Sequence, residues 1–251
     1  MSIAADEFSA SPPSPAARAL RWYREAFRLW RRAPLMMVGL CVASLVVEAL
    51  IQLIPLAGVT VSKGVVPMLA AGVWVGLQRL QQGEGLRFSC LWAGWRQPRW
   101  RSLWALCASV GLIVFGFQLA CAAAWFGQGA IDAVLLGHMA THRELQTRAF
   151  EWVLLLPGML PSILLAFAMP LFLFRGAGCA QALAGSVRLV SAMPLTFVLA
   201  MLPQAALFAV ALSNPWALPL LLVVLPIGSL VSFTAWRDVS AMRMAPALDH
   251  A

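Results

Sequence analysis

An acidic side chain inside an otherwise apolar stretch is the first candidate for chemistry in this sequence. Glu48 stands within the apolar block 35–56, and Gln52 follows one helical turn later on the same face. A carboxylate in hydrocarbon is costly, so it marks a ligand site, a proton site or a buried pair by default. Lys63, shortly after the block, is a candidate partner. We therefore weigh two interpretations of Glu48: a ligand-binding residue, or a structural residue that is paired with Lys63 or protonated.

Two amide side chains, Gln118 and Gln204, interrupt later apolar blocks. Each can hydrogen-bond to a neighbouring helix, an interaction worth about 1 kcal/mol in membranes. Gln118 is also, with Glu48 and Gln52, a candidate polar contact for a ligand. The amides therefore have a packing role or, for Gln118, a binding role.

A histidine pair lies in the long segment between the third and fourth apolar blocks. His138 and His142 are spaced by four residues, which places both on one face of a helix beside Asp132 or Glu144. The segment lacks the glutamate pattern of zinc proteases. A short solvated amphipathic helix explains the pair without a metal, so we predict no metal site and no cofactor.

Composition indicates the environment of these residues. The chain has 251 residues, of which 61% are hydrophobic and 11% charged, whereas about a quarter of the residues in a soluble domain are charged. Because a water-soluble protein of this size cannot bury so much apolar surface, we interpret the chain as an integral membrane protein. No nucleophile with a neighbouring base stands in a catalytic motif, so the sequence does not favour an enzyme.

Six apolar blocks are long enough to cross a hydrocarbon core, which takes about 20 helical residues. They are apolar on every face, unlike the strands of a membrane barrel, and they predict an all-α bundle of six transmembrane helices. The blocks span residues 35–56, 59–80, 103–126, 153–174, 195–212 and 216–236. Prolines inside the later blocks, among them Pro157, Pro161 and Pro170, should bend helices and free carbonyls. The bends either open a cavity or are tolerated kinks.

The arginines predict the orientation of the bundle. With six spans, the segments before the first, after the second, after the fourth and after the sixth lie on one membrane face and carry most of the basic residues. Arg143 and Arg148 lie on the other face, where acidic neighbours offset their positive charge. The positive-inside rule therefore predicts that both termini are cytoplasmic. The net charge of +8 then reflects attraction to anionic lipid headgroups, our predicted partners, rather than to nucleic acid.

The segment before the first block predicts a helix that lies in the membrane interface. Its arginines gather on one face, while Leu20, Tyr23, Phe27 and Trp30 gather on another. A second segment, residues 88–98, carries aromatic and basic residues in a similar order. The predicted lipid-interface residues are Arg21, Arg24, Phe27, Arg28, Trp30, Arg31, Arg32, Trp92, Trp95, Arg96, Arg99 and Arg101.

The order of interfacial helix, proline and two apolar blocks occurs three times. Pro34, Pro98 and Pro194 precede the odd-numbered blocks, and each even-numbered block holds a proline before an arginine. Prolines and arginines also collect at span ends by chance, which is the alternative to a repeat. The predicted organisation is a disordered cytoplasmic tail over residues 1–15, one membrane domain with repeats over 16–80, 86–175 and 178–237, and a cytoplasmic tail over 238–251.

The segment FRLWRRAP is followed by a hairpin of two apolar blocks, and the same order is repeated with less similar residues. This pattern resembles uncharacterised bacterial six-span inner-membrane proteins. It is also similar to the membrane domain fused to some glycerophosphodiester phosphodiesterases. The resemblance covers residues 16–237 and implies a repeat-built membrane domain without a known reaction. This sequence contains no phosphodiesterase barrel, so the resemblance does not imply that activity.

Two functions remain open at this point. The protein either binds or transports a lipid or amphipathic small molecule, or it is a structural or accessory protein that associates with other membrane proteins and with anionic lipid. A cavity that reaches Glu48 would favour the first function. A tightly packed bundle with Glu48 paired to Lys63 would favour the second.

Overall fold

The computed structural model describes residues 13–54, 57–135, 145 and 147–242, and within those ranges it contains helices and turns but no strand. The α-helices are α1 Pro15–Trp30, α2 Pro34–Gln52, α3 Gly58–Gln81, α4 Trp100–Phe126, α5 Gly129–Leu135, α6 Arg148–Leu155, α7 Met159–Leu164, α8 Ala168–Arg175, α9 Cys179–Ser191, α10 Pro194–Ser213 and α11 Leu221–Met242. Two 3-10 helices cover Phe88–Ala93 and Pro215–Leu220.

Some sequence predictions fall outside the described residues. They are most of the N-terminal tail, at 1–12, the end of the first apolar block at 55–56, the pair His138 and His142 with Glu144, and the C-terminal segment 243–251. The helix predicted before the histidines is present in part as α5.

Within the residues that the structure describes, six helical segments are long and apolar enough to cross a membrane, which confirms the predicted all-α bundle of six spans. They are α2, α3, α4, the segment Ala149–Arg175, α10 and α11. Two predicted ends were wrong. The sixth span begins at Leu221, after a 3-10 turn, rather than at residue 216. It also continues to Met242, so residues 238–242, predicted as tail, are helical.

The fourth span is broken into α6, α7 and α8 rather than being one helix. Pro161 and Pro170 are each the third residue of a new helix, α7 and α8. Proline is tolerated in the first helical turn, where its missing N–H has no intrahelical partner to lose, and it disrupts a helix interior. The prolines therefore set where each new helix begins, as the sequence indicated in general terms.

Side chains from other helices satisfy the backbone groups at these breaks. At the first break, Met159 N donates to Leu156 O, and the freed Leu155 O accepts from Gln118 Nε2 at 3.3 Å. At the second break, the hydroxyl of Ser186 on α9 donates to Leu164 O at 2.7 Å and accepts from Phe167 N at 2.9 Å. Ser186 is fully buried. It therefore holds α9 directly against the interruption of the fourth span.

Three pre-span segments pack against even-numbered spans. α1 lies on α10 and α11, the 3-10 helix Phe88–Ala93 lies on α3, and α9 lies on α7 and α8. The second of these segments was predicted with α-helical spacing and is a short 3-10 helix instead. It crosses α3 at Gly72, where an added Cβ would lie 2.3 Å from Cys90 O, so only glycine fits this crossing.

A partly buried carboxylate fixes α1 to the end of α11. Arg18 Nε lies 3.2 Å from Asp238 Oδ2, Arg21 Nη2 donates to Asp238 Oδ1, and Trp22 Nε1 donates to Asp238 Oδ2 at 3.0 Å. The Trp22 side chain is fully buried. Thr234 adds a hydrogen bond from its hydroxyl to Trp22 O at 3.1 Å. α1 is therefore docked directly on α11.

The predicted apolar face of α1 is partly exposed and partly packed against the protein. Leu20 and Phe27 remain exposed, as a bilayer-facing position requires. Tyr23 and Trp30 are partly buried and pack against the protein core instead. The face of α1 that is buried in the protein consists of Ala19, Trp22, Ala26 and Leu29. Sequence spacing alone does not distinguish a lipid-facing stripe from an adjacent protein-facing one.

We expect Ser186→Ala to lower the free energy of unfolding by about 2 kcal/mol, because it leaves two buried backbone groups without a partner. Ser109→Ala is the control, since the Ser109 hydroxyl bonds only to Ala105 O of its own helix. Unfolding in mixed detergent micelles measures both. Equal stability of the two variants would contradict the role assigned to Ser186.

We expect Asp238→Asn to release α1, because the substitution removes the charge that attracts Arg18 and Arg21, at a cost of about 2 kcal/mol. Trypsin should then cleave at the α1 arginines faster than in the wild type. Glu84→Gln removes a charge from an exposed turn and should leave cleavage unchanged. Unaltered protection in Asp238→Asn would show that apolar packing alone holds α1.

Candidate functional site

Glu48 is paired rather than isolated. Its Oε1 lies 3.6 Å from Lys63 Nζ and accepts a hydrogen bond from Gln52 Nε2 at 3.1 Å. The side chains of Glu48 and Lys63 are 25% and 26% exposed. Lys63 Nζ also lies 5.4 Å from the centre of the Phe115 ring, within cation–π range. The cluster stands about one turn from the hairpin end of α2 and α3.

Glycines allow the helices to approach closely enough for this cluster. An added Cβ at Gly58 would lie 2.2 Å from Ile51 O, so the turn from α2 into α3 requires glycine there. An added Cβ at Gly111 on α4 would lie 1.7 Å from Lys63 O. α4 therefore packs directly on the backbone of Lys63, which fixes the base of that side chain.

Glu48 also lines a cavity of about 320 Å³ between α2, α3 and α11. Ser44 on α2 and Ser229 on α11 supply hydroxyl groups, and the remaining lining is mostly apolar. A cavity at Glu48 was expected to favour binding or transport, and pairing with Lys63 to favour a structural role. Both occur in the structure. Glu48 has the predicted partner and it also reaches a cavity.

A larger cavity, of about 440 Å³, lies between α4, the broken fourth span, α10 and α11. We call it the amide cavity, because Gln118 and Gln204 are its largest polar side chains. Serine hydroxyls supply its other polar side-chain groups, and no charged side chain is among its lining residues. Its apolar lining includes Trp74, Ile163, Phe167, Phe197, Met201 and Phe208.

Each amide of this cavity lies against a glycine of another segment: Gly158 in the first break of the fourth span, and Gly228 in α11. An added Cβ would lie 2.4 Å from Gln118 Nε2 at Gly158, and 2.6 Å from Gln204 Oε1 at Gly228. The missing side chains therefore leave the space that the two amides occupy. This arrangement makes the positions of the amides depend on residues outside their own helices.

Gln204 links the amide cavity to α1. Its Nε2 donates to the Tyr23 hydroxyl oxygen at 3.4 Å, and Tyr23 donates in turn to Ala200 O at 2.7 Å. Burial raises the pKa of the Tyr23 hydroxyl, and the hydrogen bond from Gln204 lowers it by less. Tyr23 is therefore a neutral hydrogen-bonding group at neutral pH. This chain of contacts extends from the interfacial helix to the cavity wall.

The structure does not bring the three predicted ligand residues together. Glu48 lines the smaller cavity with Gln52 bonded to it, whereas Gln118 lines the amide cavity. α11 lies between the two cavities, and Leu225 and Ser229 line both. The polar partner of Gln118 across the amide cavity is Gln204, which the sequence had suggested only as a packing residue.

Most of the predicted lipid-interface residues are exposed, and some of the exposed ones also bond within the protein. The exposed residues are Arg21, Arg24, Phe27, Arg28, Arg31, Arg32, Trp92, Arg96, Arg99 and Arg101. Arg99 donates to Gly176 O at 3.0 Å and lies 4.6 Å from the Phe172 ring centre. It therefore joins the start of α4 to the turn after α8. Trp95 is partly buried against Trp92 and Trp104. Contacts within the protein therefore account for part of the predicted interface.

Two residues that position the site had no signal in the sequence analysis. Asp238 was assigned to a tail, although it lies only two residues after the predicted end of the sixth apolar block. Gly228 stands among apolar residues and gives no indication of the amide it faces. Within the described ranges, no group of at least three histidine, cysteine or acidic residues is placed to hold a metal ion.

We expect a double-mutant cycle of Glu48→Gln and Lys63→Met to give a coupling energy of about 1 kcal/mol, because the pair is partly exposed and its charges are only partly desolvated. Unfolding in mixed micelles measures the four proteins. The pair Gln52→Leu and Lys63→Met is the control, since the neutral amide makes no ion pair with Lys63. A coupling energy of zero for the Glu48 cycle would contradict structural pairing.

Comparison of this chain with protein-family models, with curated proteins and with solved structures finds no significant match.

Proposed function

We propose that this protein is a bacterial inner-membrane protein that binds a lipid or amphipathic small molecule in the amide cavity and carries it across part of the membrane. The single observation that carries the proposal is a membrane-embedded, mainly apolar cavity with two amides and no charged lining residue. Binding rather than catalysis is proposed, because these groups hydrogen-bond without activating a nucleophile.

The size and lining of the amide cavity support a ligand of this kind. Its volume of about 440 Å³ lies within the range of small-molecule sites, roughly 300 to 1,000 Å³. Aromatic and aliphatic side chains suit an acyl chain or another apolar body. Gln118 and Gln204 each provide both a donor and an acceptor, which suits an uncharged ester, amide or hydroxyl group. A charged headgroup would stay outside.

The broken fourth span supports movement of the ligand. Gly158, Ser162, Ala166 and Phe167, at or between the two breaks, all line the amide cavity. Discontinuous helices at a binding site are a feature of transporters, because a short helical segment can move without unfolding a whole span. A change in the angle of α7 would alter the cavity directly.

Packing between the predicted repeats supports the three-repeat organisation, which we retain as part of the proposal. α1 of the first repeat lies on α11 of the third, the 3-10 helix of the second lies on α3 of the first, and α9 of the third lies on α8 of the second. Each pre-span segment thus contacts the even-numbered span of another repeat. A cyclic order of this kind suits three copies related by an axis along the membrane normal.

The alternative is a structural or accessory protein, and the ion pair of Glu48 with Lys63 favours it by giving the intramembrane acid a structural role. Small residues on one face of a helix can mark a contact with another membrane protein, but here they give less support to this alternative. Gly72 and Gly76 on α3 are covered by Leu86, Cys90 and Leu91 of the same chain. Both glycines are therefore used within the molecule rather than facing another protein.

Native mass spectrometry of the protein extracted gently from its membrane tests the proposal. We expect a bound small molecule in the wild type and roughly tenfold weaker retention in Gln118→Leu and Gln204→Leu, since each loses a hydrogen bond to the ligand. Ser232→Leu should have the same effect by filling the cavity from α11. Gln52→Leu is the matched control, because Gln52 lines neither cavity.

Thermal unfolding of each variant in detergent identifies any that fail to fold, and Ser232→Leu preserves both amides for that reason. Equal retention of the same molecule in all three cavity variants would refute the proposed site. Recovery of another membrane protein with wild type and variants alike, without a small molecule, would favour the accessory role.

A further inference from the structure

A second pocket lies on the arginine-rich face of the bundle, away from both cavities. It has a volume of about 300 Å³ and is lined by Glu25, Arg28, Leu29, Arg32, Gln81 and Arg237. Three guanidinium groups therefore line the pocket beside one amide side chain: Arg28 from α1, Arg32 from the turn after α1, and Arg237 from α11. Glu25 brings the formal charge of the lining from +3 to +2, since three positive groups face one negative group.

Other arginines of the bundle have partners that these three lack. Arg18 and Arg21 pair with Asp238, Arg99 donates to Gly176 O, and Arg175 donates to Ser240 O at 3.3 Å. In the part of the chain that the structure describes, the ion pairs within 4.0 Å involve only Asp238 and Glu48. Glu25 thus lines the pocket without pairing to its arginines. The pocket retains an excess of positive charge.

The pocket stands where the spans leave the apolar layer. Arg28 and Arg32 immediately precede α2, Gln81 is the last residue of α3, and Arg237 is near the end of α11. Apolar side chains beside it face outward: Phe27 is 56% exposed and Leu35 is 86% exposed. An occupant that fits both features has an anionic group and an adjacent apolar chain.

We propose that Arg28, Arg32 and Arg237, with Gln81, bind the phosphate of an anionic phospholipid headgroup. Guanidinium groups bind phosphate oxygens through paired, charge-assisted hydrogen bonds, and the Gln81 amide is a further donor. The net charge of +2 in the pocket favours a lipid with two phosphates over one with a single phosphate. The acyl chains lie along the exposed side chains of Phe27 and Leu35.

This headgroup pocket is independent of the amide cavity, because the two share no lining residue. Docking of α1 through Asp238 assembles it, since α1 carries Arg28 and leads directly into Arg32, while α11 carries Arg237. The two proposals therefore fail separately. Loss of the amide-cavity ligand leaves the headgroup pocket intact, and the reverse also holds.

The test is a lipid titration of the full chain in detergent, followed by native mass spectrometry, with cardiolipin, phosphatidylglycerol and phosphatidylcholine as probes. We expect Arg28→Gln with Arg32→Gln to weaken cardiolipin binding roughly tenfold or more, and Arg237→Gln alone to weaken it by several-fold. The matched control is Arg24→Gln with Arg31→Gln, which removes the same charge from the same segment outside the pocket, one arginine within α1 and one directly after it. It should retain nearly wild-type binding.

Equal weakening in the two double variants would overturn the pocket and leave only general attraction between a basic helix and anionic lipid. Unchanged cardiolipin binding in Arg28→Gln with Arg32→Gln would overturn it as well. Millimolar inorganic phosphate is the last arm of the titration. If phosphate bound to the wild type as well as cardiolipin does, that result would refute a lipid occupant in favour of free phosphate. Binding of the lipid alone supports the proposal.

Discussion

The apolar surroundings of the spans require every backbone N–H and C=O group to find a partner within the protein. The fourth span is where this constraint is hardest to meet, because it contains two helix breaks. Ser186 satisfies one break and Gln118 the other. These two side chains thereby tie α9 and α4 to the interrupted span. The interruption also supplies one wall of the amide cavity, so the structural solution and the candidate site are the same feature.

The contact between α1 and α11 has a similar double consequence. Asp238 holds Arg18, Arg21 and Trp22 beside the end of the last span. This joins the two ends of the membrane domain. It also places the C-terminal part of α1 so that its arginines approach Arg237, and it brings Tyr23 to Gln204. One interfacial helix thus takes part in a charged pocket on the surface and in the wall of an apolar cavity.

Close helix contacts and open space arise from the same small residues. Gly111 lets α4 pack on α3, and Gly72 lets the 3-10 helix cross α3. Gly158 and Gly228 instead leave space that the long amides Gln118 and Gln204 occupy. At Gly72 and Gly111 the missing side chain lets two backbones approach each other. At Gly158 and Gly228 it leaves room for a long side chain instead. Partly for this reason, the packed hairpin around Glu48 and Lys63 coexists with two cavities.

The sequence by itself determined the environment, the helical class and the six spans, because hydrocarbon imposes a minimum length and composition on any crossing helix. It also indicated the pairing of Glu48 with Lys63, since the two are close along the chain. Tertiary structure decided the rest: it separated Gln118 from Glu48, placed Gln118 in the lining of the same cavity as Gln204, and joined α1 to Asp238. Those contacts connect residues far apart in the chain, and their formation depends on how helices cross. Local periodicity carries no information about that crossing.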